Sequence, residues 1–486
     1  MQRRNFLKGL GLISAGTLPA LPALSNGFRL DRMLKGKVQS KGKGLANVGV
    51  SDGFQIVSTA KDGSYQLQAH PNASHVFVIL PAGYHIPNDK GIARFYVPIN
   101  NTGTQTADFV LEPIAGGDNE HAFIVWGDTQ IWDKEDAQQL VQVSAPDTKA
   151  AVAALGSLPV FGIGCGDLVF DKFELFDDYK KAVEVTGIPF FQVIGNHDMD
   201  LTARTDDQSQ QTFKQQFGPT YYSFNRGAIH YVVLDDVFFI GMAKKYIGYI
   251  TEAQLAWLEE DLKRVPAGST VVVSLHIPTD TGMAERQKKK EEELGGIVAN
   301  RAALYAMLKP YKVHIMSGHT HFNENWEKDN IMEHNHGTVC GAWWTGPVCG
   351  DGCPPGYGVY KVKGNELTWH YQSVGKAPNH QLRLYKAGSV PEQANAVIAN
   401  VWNYDPAWKV EWWLDGKAMG ALQPFVGLDP LAKELYLGNK LPAKHKWVEP
   451  VLTNHLFATA AVQAGQTIVV KATDRFGQMF EESITA

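Results

Sequence analysis

Between residues 121 and 350 short apolar runs alternate with amphipathic helical stretches. Strands are expected at 123–126, 160–163, 190–194, 229–234, 271–275 and 313–316. Strands that alternate with helices bury both faces of a sheet, so this stretch is confined to an α/β layer architecture. One helix is well marked at 251–264, where Thr251 and Gln254 have capping-box spacing and Leu255, Leu258 and Leu262 share a face.

The flanking regions carry a different period. Residues 36–113 are rich in Gly, Val and Thr, with Asp52-Gly53 and Lys61-Asp62-Gly63 as turns and Val76-Phe77-Val78-Ile79-Leu80 as a core strand. From about residue 357 strand patterns return. Trp408, Val410 and Trp412 alternate before an Asp415-Gly416 turn, and a last strand pair is expected at 467–472 and 478–483. The organisation expected is a leader over 1–25, a β-sandwich over 30–115, a central α/β domain over 120–355 and a second β-sandwich over 356–486.

The leader has a basic start with Arg3-Arg4 ahead of Asn5-Phe6-Leu7-Lys8, then an apolar segment and the small residues Ala23 and Ser25. That is the form of a twin-arginine export signal, which implies an exported, periplasmic protein. Its removal would move the net charge from −5 to −8. An acidic balance of 45 Lys and Arg against 50 Asp and Glu leaves no basic face for nucleic acid. After residue 25 no apolar run reaches about 18 residues, so no membrane-spanning helix is expected. Four cysteines suit export without demanding it: Cys349 and Cys353 could close a small disulfide loop, remain free thiols, or join Cys340 at a zinc. Nothing in the sequence sets an oligomeric state.

The chemistry collects at the ends of the central strands, where ligands gather in an open α/β sheet. Successive strands end in Gly127-Asp128-Thr129-Gln130, Gly166-Asp167, Gly195-Asn196-His197-Asp198, His276, and Gly318-His319-Thr320-His321. A lone Gly-Asp after a strand is an ordinary turn, and a lone His is an ordinary core residue. All five in this order, between residues 128 and 321, are a set of metal-binding groups.

This set resembles the calcineurin-like metallophosphoesterases, whose order is D-x-H, G-D, G-N-H-D or G-N-H-E, a lone His, and G-H-x-H. The likeness covers roughly residues 121–350. The whole chain is similar to a bacterial group in which the catalytic domain sits between two β-sandwich modules, the first resembling prealbumin or carboxypeptidase-regulatory domains on G-L-A-x-V-x-V-x-D-G, D-G-x-Y-x-L and P-A-G-Y. The fold this implies is α/β: a four-layer metallophosphoesterase β-sheet sandwich flanked by helices, with a small β-sandwich at each end. One position departs from the common pattern, since Gln130 stands where D-x-H places a histidine. An amide oxygen is a weaker ligand than imidazole.

The resemblance implies two divalent cations, Mn, Fe or Zn. Asp128, Gln130 and His321 would hold one and Asn196, His276 and His319 the other, with Asp167 shared. A bridging hydroxide would attack a phosphate monoester or diester in line. His197 would protonate the leaving group, with Asp198 orienting its imidazole. Trp343 and Trp344 would wall the pocket of a small phosphorylated substrate, unless they pack in the core. The alternative is a non-catalytic exported binding protein with an impaired metal centre, supported by Gln130 alone. The charge run 287–293 is expected to be a solvated helix, and His334 and His336 are candidates for substrate contact.

Overall fold

The computed structural model describes residues 32–100, 102–291 and 293–486; the leader read in residues 1–25 lies outside the described residues. Two sheets form the centre. One runs in the order Glu366–Ser373, Gly356–Lys363, Glu120–Trp126, Val160–Cys165, Phe190–Val193, Ile92–Ala93, Asn88–Asp89. The other runs Tyr222–Arg226, Ile229–Val233, Thr270–Ser274, Lys312–Ser317, Ile331–Asn335, Glu324–Lys328. In each sheet the middle strands are parallel, the arrangement that requires cover on both faces and therefore near-continuous apolar sequence.

The two-residue period of a strand divides these runs between two cores. Phe123, Val125, Phe161 and Val193 point between the sheets and meet Phe224, Tyr231, Val273 and Ile315. Phe191 stacks on Phe224 at 3.9 Å, and Phe161 meets Tyr231 edge-on at 5.2 Å. Ile124 and Trp126, on the opposite side of the same strand, pack with Leu140, Phe176, Tyr179 and Val183 from the helices after it. Trp257, Leu258 and Leu262 of the helix Glu252–Leu262, with Leu304 and Leu308 of Arg301–Leu308, cover the second sheet. Each large side chain buried in this way contributes about 1.5–3 kcal/mol. The result is helix, sheet, sheet, helix: the α/β layering that the strand–helix alternation predicts, in the four layers that the resemblance implies.

The N-terminal region makes two small sheets, one built around Arg32–Ser40 and one from Gly49–Ser51, Ile56–Ser58, His75–Val78 and Tyr96–Pro98. The Asp62-Gly63 turn needs its glycine: Gly63 has φ +79°, and a Cβ there would sit 2.3 Å from the Val38 carbonyl oxygen. The C-terminal region makes two four-stranded sheets, Arg383–Tyr385/Ile398–Asn400/Leu452–Ala458/Gln423–Leu428 and Lys417–Ala421/Lys409–Leu414/Thr467–Thr473/Met479–Thr485. Trp408, Val410 and Trp412 lie in their common core, as the alternation predicts.

Several expectations need correction. The boundary expected between 355 and 356 falls inside the first central sheet, because Gly356–Lys363 pairs with Glu120–Trp126 and Glu366–Ser373 extends it. Strands at Asn88–Asp89 and Ile92–Ala93, placed by sequence in the first module, close its other edge. The helix begins where expected, with Thr251 accepting from the Gln254 N–H. The Gln254 side chain instead exchanges two bonds with the Asp235 backbone, at 2.9 and 2.8 Å. The described residues of the charge run are not helical. The helix there spans only Met283–Arg286, turn follows, and Lys289 pairs with Glu293 at 2.6 Å. All four cysteines are buried and free. Among the described residues no helix is long and apolar enough to cross a membrane.

Candidate metal and phosphoryl site

The five polar strand ends meet at one place. The loops after Glu120–Trp126 and Val160–Cys165 run side by side, joined by an Ile131–Val169 bridge and by the Gln130 N–H donating to the Asp167 carbonyl at 2.8 Å. Gly195 lets the third loop approach: a Cβ on it would lie 2.0 Å from the Asp167 nitrogen. Gly166, at φ +80°, leaves room for the His276 ring, which a Cβ would meet at 2.3 Å.

Asp167 is the centre. Its Oδ1 lies 3.3 Å from His276 Nε2 and accepts the His197 backbone N–H at 2.8 Å, while its Oδ2 accepts from Gln130 Nε2 at 2.9 Å. On one side His276 Nε2 is 3.1 Å from Asn196 Oδ1 and 3.2 Å from His319 Nδ1. Asp167, His276 and His319 bring one ligand atom each within 4.8 Å of one another. On the other side His321 Nε2 faces Asp128 Oδ1 at 3.5 Å. The seven residues expected as ligands thus lie around Asp167, with His276 in contact with Asn196 and His319, Asp128 facing His321, and Gln130 bonded to Asp167.

The far atoms of these side chains are fixed. His276 Nδ1 bonds the Cys165 carbonyl at 2.8 Å, His319 Nε2 the Gly295 carbonyl at 2.9 Å, and Asp128 Oδ2 accepts the His319 N–H at 2.9 Å. Such outer contacts orient imidazoles and carboxylates toward a metal. Two buried acceptors, Asp128 Oδ1 and Gln130 Oε1, have no hydrogen-bond partner. Buried acceptors without donors call for a cation, and a set of nitrogen and oxygen donors without thiolate suits Mn, Fe or Zn. The residues present fit a divalent cation.

The same groups perturb one another's protonation. Burial favours the neutral Asp167 carboxyl, but the charges of His276 and His197 outweigh it and hold the group well below the usual carboxylate range. Burial disfavours the His276 cation, yet Asp167 outweighs it and pushes the imidazole up to about 10. His319, buried beside that positive charge, is pushed down to about 4.

His197 stands at the edge. Its ring stacks on Phe170 at 4.1 Å, and its Nδ1 bonds Asp171 Oδ1 at 2.7 Å. Burial lowers the ring's proton affinity, but Asp167 and then Asp171 raise it above the ordinary value. Asp198 is not its partner. The Asp198 carboxylate is buried and accepts backbone N–H groups of Leu168 at 2.9 Å, Val169 at 3.2 Å and Gly195 at 2.9 Å. It ties two ligand loops together. Asp171, four residues after Asp167 in Gly166-Asp167-Leu168-Val169-Phe170-Asp171, carries the orienting contact; it was missed because adjacency in sequence favoured Asp198.

Trp343 stacks on His321 at 4.0 Å and packs, partly buried, against Ala342, Val348 and Tyr436. Trp344 donates its Nε1–H to the Thr129 carbonyl at 2.9 Å, bracing the first ligand loop, and its ring lines a cavity with Gln139, Val143 and Pro354. His334 and His336 are buried. His336 bonds the Ser317 carbonyl and the Tyr360 hydroxyl, and His334 bonds His314, so neither is placed for substrate.

Three family profiles match in succession: residues 32–114 the N terminal of calcineurin-like phosphoesterase, 121–323 calcineurin-like phosphoesterase, and 333–480 its C terminal. The chain is 27% identical over 197 residues to the human serine/threonine-protein phosphatase CPPED1, covering 38% of this chain and 61% of that one. It is 28% identical over 177 residues to purple acid phosphatase 15 of Arabidopsis thaliana, covering 34% and 29%. These matches therefore span less than two thirds of either relative. Among solved structures, purple acid phosphatase PPD1 from yellow lupin aligns over 68% of this chain and 67% of its own, with 14% identity and a TM-score of 0.36.

Proposed function

The chain belongs to the calcineurin-like phosphoesterase family, and from that premise we propose that it is an exported, binuclear, metal-dependent hydrolase of phosphate monoesters or diesters. The observation that carries the binuclear reading is the constellation around Asp167, with two buried acceptors left without donors.

Asp128, Gln130 and His321 would hold one cation, Asn196, His276 and His319 the other, and Asp167 both. When bound, the two ions supply charge neutralisation of the phosphoryl oxygens and make a water nucleophilic at neutral pH. His197 supplies the proton. With Nδ1 held by Asp171, the proton to be given lies on Nε2 and passes to the ester oxygen as the P–O bond breaks. Phe170 beneath the ring and Asp171 at its edge fix the direction of that transfer.

The test is hydrolysis of one aryl phosphomonoester and one aryl phosphodiester, with Mn²⁺ and with chelator. Turnover that chelator abolishes is the expected result, and the ratio of the two rates narrows the substrate. No turnover with no bound metal would leave the binding-protein reading in its place. Export rests on residues 1–25 and is checked by fractionation: the full chain should reach the periplasm, and a chain lacking the leader should stay inside and remain active.

A further inference from the structure

The rim of the site is a continuous arc of rings, and part of it comes from the C-terminal module. From the ligand end, His321 stacks on Trp343 at 4.0 Å, and Trp343 meets Trp447 edge-on at 4.6 Å. Trp447 lies 5.4 Å from His445, and His445 lies 5.0 Å from Trp132. Trp132 then lies 4.4 Å from Phe170, which stacks beneath His197 at 4.1 Å. One end of the arc is therefore a candidate metal ligand, and the other is the group placed to protonate the leaving oxygen.

The segment carrying His445 and Trp447 is not a loose tail. Lys444 Nζ reaches Asp133 Oδ2 at 2.9 Å, Asp136 Oδ1 at 3.0 Å and Glu135 Oε2 at 3.1 Å, at the start of the helix Lys134–Gln139. His445 (φ +51°) and Trp343 (φ +49°) are both held in left-handed backbone that bulky residues avoid. Packing alone does not account for the arrangement, because Trp447 remains 52% exposed. A tryptophan whose purpose was core packing would be inside. This one offers open ring surface to solvent beside the site.

We propose that this arc is a leaving-group subsite, and that the preferred substrates are phosphate esters whose alcohol carries a flat ring, such as a nucleobase. The proposal rests on the phosphoesterase reading above. Ring faces recognise other rings without a hydrogen-bond code, so stacking on Trp447 would select for flatness and tolerate different ring chemistry. Because Trp447 belongs to the C-terminal module, that module sets specificity as well as supporting the fold.

Two measurements separate this proposal from the reading it rests on. The first compares kcat/KM for adenosine 5′-monophosphate with that for glycerol 3-phosphate, in the wild type, Trp447→Ala and Trp447→Phe. The ratio should fall about tenfold in Trp447→Ala and be largely kept in Trp447→Phe, as stacking energies of this kind imply. An identical ratio in all three overturns the subsite. The second titrates adenosine, which has no phosphate to lose, against intrinsic tryptophan fluorescence. Saturable quenching that Trp447→Ala removes supports the subsite even if no ester is turned over, in which case the hydrolase reading alone falls. Turnover of both esters without adenosine quenching overturns the subsite alone, and neither turnover nor quenching overturns both.

Discussion

Asp128, Gln130, Asp167, His319 and His321 have φ between +35° and +69°, backbone in which a Cβ crowds the following carbonyl at a cost of roughly 1–2 kcal/mol per residue. Strain of that kind persists only where the surroundings over-determine it. Here the loops bond to one another, Gln130 to Asp167 and His319 to Asp128. Single-residue predictions follow from what each atom touches. His197→Ala should slow ester hydrolysis by about 10²–10⁴-fold and leave metal content, read by elemental analysis, unaltered; loss of metal with rate would make His197 structural. Asp171→Asn should lower kcat with little change in KM or metal content, since it acts through the imidazole. Gln130→Ala should lose metal, and Gln130→His should retain it; unchanged metal and rate in Gln130→Ala would remove that residue from the set. Most of this site is legible in the sequence because each donor follows directly on an apolar strand. Asp171 and Trp447 are not, because the contacts that define them are set by space. Asp198 misleads for the same reason, since a residue next to His197 in the chain has its carboxylate turned onto the backbone.

At the scale of elements, the strand ends are tight enough to be broken by one methyl group. Gly195→Ala would place a Cβ 2.0 Å from the Asp167 nitrogen, so the variant should lose metal and melt at lower temperature while its far-ultraviolet circular dichroism stays close to wild type. The second sheet contains a buried carboxyl with a different signature. Glu333 accepts from the Thr279 N–H at 2.9 Å and from Ser317 Oγ at 2.8 Å, and burial pushes it from 4.5 up to about 8. A group whose folded value is raised stabilises the native state at low pH, and that stability is lost as pH rises through the folded value. Glu333 should therefore contribute a falling component to the thermal midpoint between about pH 4.5 and about pH 8, read as the difference between wild type and Glu333→Gln; equal slopes in the two would remove that contribution. The strands and the helix from Glu252 were legible because periodicity carries them. The run 287–293 was not. Its charges read as a solvated helix, but the helix ends at Arg286, and Gly295 directs its carbonyl to His319.

For the whole molecule, the modules are less separate than composition suggests. Each lends two strands to the edges of the first central sheet, because the middle strands leave unpaired edges that a nearby chain can cover. Composition could not show this, since an edge strand and a module strand have the same pattern. Bound cations should add to global stability by mass action, so chelator should lower the thermal midpoint by a few degrees, and excess Mn²⁺ should restore it; an unmoved midpoint would argue against buried ions. The Lys444 clamp has a further consequence for how the protein is made. It joins residues 308 and 311 positions apart, whereas the last candidate ligand is His321, more than a hundred residues earlier in the chain. Closing so long a loop comes late, so during synthesis the metal cage can be complete while the doorway beside it is still open. Ions would then enter an unframed site, and the frame would arrive later to slow their escape. Lys444→Ala should accordingly give up its metal to chelator faster than wild type while binding the same amount at equilibrium.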